Sequence, residues 1–355
     1  MSAPRQPDGD AVVWCQGHFN TPNGKTAHGL VRFTERYRVR AVIDDRYAGQ
    51  DAGDVLDGRP RGIPVVESLQ AALAFKPTHF VVGLAPDGGR LTGPDRQAAR
   101  DALDAGLNVD CGLHDLLSDD PDLVALAEAR GVTIRDVRRP PPASVMHHFS
   151  GRINEVGAVR IAVLGTDSAV GKRTTAVLLV QALRARGVRA ELIGTGQTAW
   201  MQGVPYSFVM DSLISDFMSG EIEHAVVQAW DEVRPEVIVI EGQGSLMNPA
   251  YPGGYEILAA ARPHGVVMQH APTRVEYDGF PGFRIQPLET QIQAIELISG
   301  RPVVAITINH EGMDRAQALA AVEVYERQHH RPTCAPLLQG VEPILDALLA
   351  LGGDG

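Results

Sequence analysis

The stretch that decides the fold is Val159-Arg160-Ile161-Ala162-Val163-Leu164, followed directly by Gly165-Thr166-Asp167-Ser168-Ala169-Val170-Gly171-Lys172. Its first part is a nearly continuous apolar run, which is typical of a strand covered on both faces. Its second part predicts a glycine-rich turn that leads into an apolar-periodic helix over residues 174–184. A strand, a glycine loop, a Gly-Lys pair and a helix in this order indicate a phosphate-binding loop, or P-loop.

This loop predicts binding of ATP with Mg²⁺. Its backbone N–H groups and the start of the helix would face an anion, and Lys172 would neutralise the β- and γ-phosphate oxygens. The candidate cofactor-binding residues are Gly165, Thr166, Asp167, Ser168, Ala169, Val170, Gly171, Lys172, Arg173, Thr174 and Thr175.

The loop departs from the common P-loop pattern in two ways. Its spacing is G-x5-G-K, one residue longer than G-x4-G-K, and Arg173 stands where a magnesium-binding Ser or Thr is usual. Magnesium would therefore be held by carboxylates, or by Thr174 after a local shift.

The composition is that of an acidic chain with room for two cores. The chain has 355 residues, 44% of them hydrophobic, and a net charge of −11. Such a surface repels phosphate backbones, so nucleic acid is not an expected partner. Cys15, Cys111 and Cys334 are widely spaced, which supports neither a disulfide framework nor a zinc knuckle. No apolar run reaches the ~18 residues that a membrane span needs, and the N-terminus has no apolar signal region, so we expect a soluble cytoplasmic protein.

Short β-branched runs alternate with helical stretches along the chain, which indicates α/β layers with mostly parallel sheets. We predict a Rossmann-like domain over residues 1–138, a Pro-rich linker over 139–157 and a P-loop α/β domain over 158–355. The predicted strands are 11–15, 39–43, 78–84, 108–111, 132–136, 159–164, 190–193, 237–240, 265–268 and 303–308, with helices over 68–74 and 95–105.

The loop resembles that of dethiobiotin synthetase, which reads G-T-D-T-x-V-G-K-T. Val237-Ile238-Val239-Ile240-Glu241-Gly242-Gln243-Gly244 is similar to the V-E-G-A-G segment of that family. The resemblance implies that Glu241 and Asp211 help to hold magnesium, that Lys172, Glu241 and Asp211 are catalytic, and that Asn309 contacts adenine. The alternatives are that Glu241 is an ordinary acid at a strand end, and that Asp211 caps the helix that follows it.

Over most of its length the chain resembles the D-glutamate N-acetyltransferase-like family, which pairs a Rossmann-like domain with a P-loop domain. Besides the phosphate loop, the segments that carry this resemblance are 24–29, 111–115, 136–140, 194–198 and 307–313. The family name implies N-acylation of an acidic amino acid.

Several residues are candidates for contacting a substrate. Gly196, Gln197 and Thr198 follow a strand, although a glycine turn without a ligand would look the same. Arg274 and Tyr277 could hold a carboxylate, but a surface arginine is the commoner case. Lys25 and Thr26 follow a glycine and could form a separate anion site. His28 and His114 could act as acid or base and Cys111 as a nucleophile, but each could instead be a structural residue. A metal site at His147-His148 is not supported.

Two chemical functions remain open from the sequence. In the first, favoured because a Gly-Lys loop with a strand-end glutamate suits a metal triphosphate, ATP and Mg²⁺ activate a carboxylate that an amino acid's amine then captures. In the second, acetyl-CoA acylates D-glutamate directly. A nucleotide-dependent switch without covalent chemistry is a third possibility. Small amino acids and carboxylic acids are the expected partners, and a homo-oligomer is the default expectation.

Overall fold

The computed structural model describes residues 6–352, which divide into two compact units. The first unit contains the residues up to Pro140 together with Gln197–Val204, and the second contains Pro141–Gly196 and the residues from Pro205 onward. The chain therefore returns once to the first unit, through a short segment that follows Gly196.

The first unit is built on a six-stranded sheet. Its strands are β1 Gly9–Trp14, β2 Tyr37–Ile43, β3 Val65–Val66, β4 His79–Val82, β5 Asn108–Cys111 and β6 Ile134–Asp136. Its helices are α1 Lys25–Phe33, α2 Ala52–Asp57, α3 Leu69–Ala72, α4 Gly93–Asp104 and α5 Pro121–Arg130.

All strand pairs of this sheet are parallel, in the order β3-β2-β1-β4-β5-β6. This is the Rossmann order, in which the strand sequence reverses between β1 and β4. Local signals explain where the helices begin: Thr92 and Asp95 form a capping box at α4, and Asp120 caps α5, whose first residue is proline.

The second unit is built on a seven-stranded parallel sheet. Its strands are β7 Val159–Gly165, β8 Ala190–Gly194, β9 Tyr206–Ser207, β10 Val237–Glu241, β11 Gly265–His270, β12 Val303–Ile308 and β13 Thr333–Cys334. The helices are α6 Lys172–Ala185, α8 Ser215–Val233, α9 Gly254–Ala261, α10 Leu288–Ser299, α11 Arg315–His329, α12 Pro336–Gln339 and α13 Glu342–Leu349, while α7 Gln197–Gln202 lies in the segment that returns to the first unit.

The strand β7 lies in the middle of this sheet, because the order is β13-β12-β11-β7-β10-β8-β9. Ile161, Ala162 and Val163 have no exposed surface, as expected of a strand covered by helices on both faces. Burying each large aliphatic side chain stabilises the fold by roughly 1.5–3 kcal/mol. The loop after β7 is therefore attached to a buried central strand of the unit.

The structure confirms the predicted fold class, and every predicted strand is present. The prediction missed β3, β9 and β13, which have two residues each and lie at sheet edges. Such segments are too short to show alternation. The helix predicted over 174–184 begins earlier, at Lys172.

The Pro-rich stretch 139–157 contains short 3-10 helices at Ala143–Val145 and Arg152–Glu155. Its second half is fastened to α8, because Ser150 N and Ile153 N donate to the buried Glu223 carboxylate over 2.6 and 2.9 Å. The domain limits at 138 and 157 remain a prediction. That prediction did not assign Gln197–Val204 to the first domain.

None of the helices in the described part of the chain is both long enough and apolar enough to cross a membrane.

Candidate phosphate-binding site

The loop between β7 and α6 has the backbone of an anion cradle. Ala169 and Gly171 both have positive φ, +53° and +104°. In turns that contain such residues, successive backbone N–H groups form a concavity that binds anions. Gly165 is needed because a Cβ would lie 2.9 Å from Val170 Cγ2 and 3.1 Å from Lys172 Cγ and Cδ. The glycines thus make room for the lysine stem as well as for the turn.

Lys172 is the cation of this loop, and it is 7% exposed. Its Nζ donates to the carbonyl oxygens of Asp167 and Gly244, each over 2.6 Å. Gly242 allows this path, since a Cβ there would be 3.1 Å from Lys172 Cδ. These two carbonyl acceptors are neutral, so a phosphate oxygen is a stronger partner for the ammonium group.

Asp167 supports the loop from inside. Its side chain is fully buried, and its carboxylate accepts from Ser168 N, Asn248 Nδ2, Arg274 and Asp278 N over 2.6–3.0 Å. With both oxygens engaged in this way, the side chain holds the loop in shape. Asn248 and Asp278 were not predicted, because they are distant from Asp167 in sequence.

Arg274 connects the same loop to Glu311. Its guanidinium donates to Asp167 and to the Ser168 carbonyl, and it forms an ion pair with Glu311 over 2.7 Å. Burial alone would lower the pKa of Arg274, but Glu311 and Asp167 hold it above its ordinary value. Tyr277 lies in the following loop, is 5% exposed, and bonds through its N–H to the Phe283 carbonyl. The predicted contacts of Arg274 and Tyr277 with a substrate remain a prediction.

Glu241 ends β10, which is paired with β7 so that Glu241 lies opposite Val163. Its side chain is buried, and Thr195 N donates to its carboxylate over 3.1 Å. Burial raises the pKa of Glu241, and the charges of Arg173 and Lys172 only partly offset this effect. Its ionised form therefore gains from any further cation beside it.

Thr195 and Gln243, which were not among the predicted site residues, complete the group of side chains around Glu241. Thr195, at the end of β8, donates through Oγ1 to the Glu241 carbonyl and accepts from Gln243 Nε2, both over 3.0 Å. Gly196 leaves room for Gln243, since a Cβ there would be 2.8 Å from Nε2. The sequence contained a signal for both residues. Thr195 lies within residues 194–198 and Gln243 within residues 237–244, two segments that carry the family resemblances.

Asp211 lies in a 3-10 helix, Met210–Ser212, and accepts a hydrogen bond from Tyr251 over 3.3 Å. The alternative interpretation, a cap for the next helix, is wrong, because α8 begins at Ser215 with Ile214 at the capping position. The structure describes no group of three or more Asp, Glu, His or Cys side chains placed to hold a metal ion.

Asn309 and Thr175 connect the loop and the start of α6 to neighbouring strands. Asn309 Nδ2 donates to the Val170 carbonyl over 2.9 Å. Thr175 and Thr307 both donate to the side-chain oxygen of Gln269, on β11. Asn309 therefore fastens the loop to β12, and its predicted contact with adenine remains a prediction.

Family models match both parts of the chain. One described as "Domain of unknown function (DUF1611_C) P-loop domain" covers residues 147–345, and one described as "Domain of unknown function (DUF1611_N) Rossmann-like domain" covers residues 45–140. The chain belongs to the DUF1611 family. A crystal structure of a DUF1611 family protein from Anabaena variabilis has a TM-score of 0.88 and 30% identity to it, over 97% of this chain and 100% of that one.

Two curated relatives of this DUF1611 chain are named D-glutamate N-acetyltransferase. The protein from Tritonibacter scottomollicae is 32% identical over 80% of this chain and 85% of its own length. The protein from Pseudoalteromonas sp. is 29% identical over 75% of this chain and 80% of its own length. The resemblance inferred from the sequence is thereby confirmed.

In this DUF1611 chain the remaining predicted substrate residues lie in the first unit. Lys25 begins α1, and Thr26 Oγ1 is 2.8 Å from Thr198 Oγ1. Gln197 accepts from Arg138 over 3.1 Å. The predicted set Gly196, Gln197 and Thr198 is therefore divided, because Gly196 belongs to the second unit.

The remaining candidates, proposed as acid, base, nucleophile or metal ligands, have contacts within the protein. His28 Nε2 lies 3.4 Å from the Phe19 carbonyl, and His114 N donates to the Gly89 carbonyl. Cys111 is fully buried, and burial raises the pKa of its thiol to about 12. The buried-thiol interpretation is confirmed. His147 stacks on His224 at 3.6 Å and bonds to Glu221.

Proposed function

We propose that this DUF1611 protein acetylates the amino group of an acidic amino acid of the glutamate class, and that its P-loop holds phosphate groups of the ligand that supplies or activates the acyl group. The names of the two curated relatives support the acyl acceptor and the acetyl group. The loop with positive φ at Ala169 and Gly171, and with Lys172 inside it, supports the phosphate site.

The observation that carries the proposal is the corner formed by Lys172, Glu241 and Thr195. A buried lysine whose ammonium group donates to the carbonyls of Asp167 and Gly244, beside a buried carboxyl whose pKa is raised, is an arrangement that an anion and a cation together would stabilise. Preorganised groups of this kind stabilise charge that develops on phosphate or carbonyl oxygens.

A specific observation favours ATP and Mg²⁺ as the driving force. Glu241 ends the strand next to the P-loop strand, where P-loop enzymes place a carboxylate near the metal. Glu241 and the half-buried Thr174 would hold the magnesium ion, which would supply positive charge to the phosphate oxygens. In this version the amino acid's nitrogen displaces phosphate from an acyl phosphate.

Acetyl-CoA is the second candidate donor, and the relatives' names favour it. Coenzyme A carries a diphosphate and a further phosphate, so the same loop would serve it. The amino acid's nitrogen would then displace the coenzyme thiolate, and no ATP would be consumed.

The test is to incubate the protein with D-glutamate or L-glutamate and either acetyl-CoA or acetate with Mg-ATP, and to follow product mass, free thiol, ADP and phosphate. N-acetylglutamate formed with either donor, and lost in Lys172→Ala, supports the proposal. Thiol release without ADP selects acetyl-CoA, whereas ADP in step with product selects the ATP route. No acylated amino acid with either donor would refute the proposal.

A further inference from the structure

A cavity lies beside the P-loop within the second unit. It has a volume of about 390 Å³, and its wall includes Arg274, Arg284, Glu289, Tyr325 and His329. Arg274 also bonds to Asp167 and Ser168 of the P-loop. We call this cavity the flank cavity. One of its wall residues therefore also contacts the phosphate-binding loop.

His329 is the unusual residue of the flank cavity. It is 5% exposed, and its Nδ1 lies 2.9 Å from a Glu289 carboxylate oxygen. Its Nε2 is buried without a hydrogen-bond partner in the described part of the chain. An unsatisfied buried nitrogen destabilises a protein, so a ligand that bonds to it gains affinity.

The Glu289 carboxylate fixes which ring nitrogen of His329 carries the hydrogen in the neutral imidazole. A carboxylate accepts the Nδ1–H of the neutral ring, which leaves a lone pair on Nε2. Nε2 is then an acceptor for an N–H group, and Glu289 adds negative charge next to it. This end of the cavity suits an amine or an ammonium group.

Arg284 gives the cavity an opposite charge. Its side chain is exposed and no ion pair with it is found among the described residues, whereas the Arg274 guanidinium is bound to Asp167 and Glu311. A guanidinium binds a carboxylate through two parallel hydrogen bonds. The cavity therefore offers a site for a carboxylate as well as one for an amine.

Tyr325 connects the flank cavity to the P-loop through a chain of contacts. Its ring stacks on His329, and its hydroxyl is 3.1 Å from His270 Nε2. The other ring nitrogen of His270 is 3.1 Å from Thr166 Oγ1, at the start of the P-loop. His270 also lines the cavity, so a ligand there is separated from the phosphate loop by a single side chain.

We propose that the flank cavity binds a small amino acid, with its carboxylate at Arg284 and its amino group at His329 Nε2 beside Glu289. The proposal rests on the proposed function only for the choice of a glutamate-class ligand. A volume of about 390 Å³ is ample for a ligand of that size.

The test is a calorimetric titration of the nucleotide-free protein with D-glutamate, L-glutamate and glutarate, which lacks the amino group. D-glutamate is expected to bind about tenfold more tightly than glutarate, and Arg284→Gln to weaken D-glutamate binding at least tenfold. Arg315→Gln is the matched control, because Arg315 is an exposed arginine on the same helix as Tyr325 and His329.

A pair of His329 variants separates the role of Nε2 from packing. Asn places a donor near the position of Nδ1, so His329→Asn keeps the bond to Glu289 and removes Nε2. His329→Gln instead places a polar atom near Nε2. The proposal predicts about tenfold weaker D-glutamate binding in His329→Asn and a smaller loss in His329→Gln, with thermal melts showing that both variants fold.

The outcomes distinguish this proposal from the proposed function. Unchanged D-glutamate binding in Arg284→Gln and His329→Asn, or no binding to the wild type, overturns the flank-cavity site even if acylation is observed. Binding that depends on Arg284 and persists in Lys172→Ala supports the site, even if neither acyl donor yields product and the proposed function fails.

Discussion

The two units each carry a glycine-lysine loop after a central strand of a parallel sheet, yet the two loops are built differently. In the first unit Gly24-Lys25 leads into α1, and in the second Gly171-Lys172 leads into α6. Both positions lie where parallel sheets commonly bind phosphates. The surroundings of the loops decide which of them is open to a ligand.

The first loop is filled by the protein itself. Asp44, at the end of β2, is fully buried and accepts from Phe19 N over 2.8 Å, so a carboxylate already occupies a loop amide. Burial alone would raise the pKa of Asp44, but Arg46 and the Phe19 N–H hold it below its ordinary value. A Cβ at Gly24 would be 2.5 Å from the His18 carbonyl and 2.9 Å from the His28 ring, so the inside of this turn is packed.

The second loop has open space at its corresponding glycine, since a Cβ at Gly171 would meet no atom closer than 3.9 Å. Its own carboxylate, Asp167, accepts from one loop amide, Ser168 N, and from Arg274, Asn248 Nδ2 and Asp278 N of other segments. The Lys172 ammonium group lies inside this loop and donates to the carbonyls of Asp167 and Gly244. The comparison teaches that a Gly-Lys pair marks an anion site only where the inside of its turn is left open.

The largest expected effect separates the two lysines. Lys172→Ala should lower the affinity for the phosphate-bearing ligand and the acylation rate about 100-fold, because one charge-assisted donor inside a preorganised site has that effect. Lys25→Ala should change ligand affinity by less than about threefold. Fluorescence titration with nucleotide and with coenzyme A checks both, and equal losses in the two variants would break the comparison.

The next effect concerns acid stability near the P-loop. Burial, together with the nearby His329, lowers the pKa of His270 from 6.5 to about 4. As the pH falls through this range the unfolded chain takes up the proton first, so stability present above pH 6.5 is lost by roughly 3 kcal/mol towards pH 4. Urea unfolding from pH 7 to pH 4 should show a shallower loss in His270→Gln, and parallel curves would contradict this account.

Two buried glutamates of the second unit should respond in opposite ways. Burial alone would raise the pKa of Glu223, but donors from Ser150 and Ile153 hold it below its ordinary value, whereas the pKa of Glu241 is raised. Glu223→Gln should therefore destabilise the protein by about 2 kcal/mol. Glu241→Gln should leave stability unchanged or higher while abolishing activity, and melting curves with activity assays compare the two.

The smallest effect tests whether the first loop uses its hydroxyls internally. Thr26 and Thr198 are both buried and bonded to each other over 2.8 Å. Each single change to Val should destabilise the protein by about 1 kcal/mol, and the double change should be no worse than either single one. Unfolding measurements on the double-mutant cycle give the coupling, and simple additivity would show that this bond contributes little.

The sequence predicted the central strands, the P-loop and the family, because each depends on neighbouring residues. It did not predict the inward turn of the Asp167 side chain, since Asn248, Arg274 and Asp278 come from distant segments that meet only in the folded sheet. It also did not predict that α7 packs in the first unit, because its local pattern is that of any short helix. Thr195 was missed for a similar reason: its bond to Glu241 depends on the pairing of β8 with β10.

The most direct test of the account is hydrogen exchange followed by mass spectrometry, with and without Mg-ATP and with and without acetyl-CoA. The account predicts that the ligand that drives the reaction slows exchange in peptides covering residues 165–175, and that it leaves residues 15–27 unchanged. Protection of residues 15–27 with no change at 165–175 would contradict it, because the phosphates would then bind at the loop that this structure shows to be filled by Asp44.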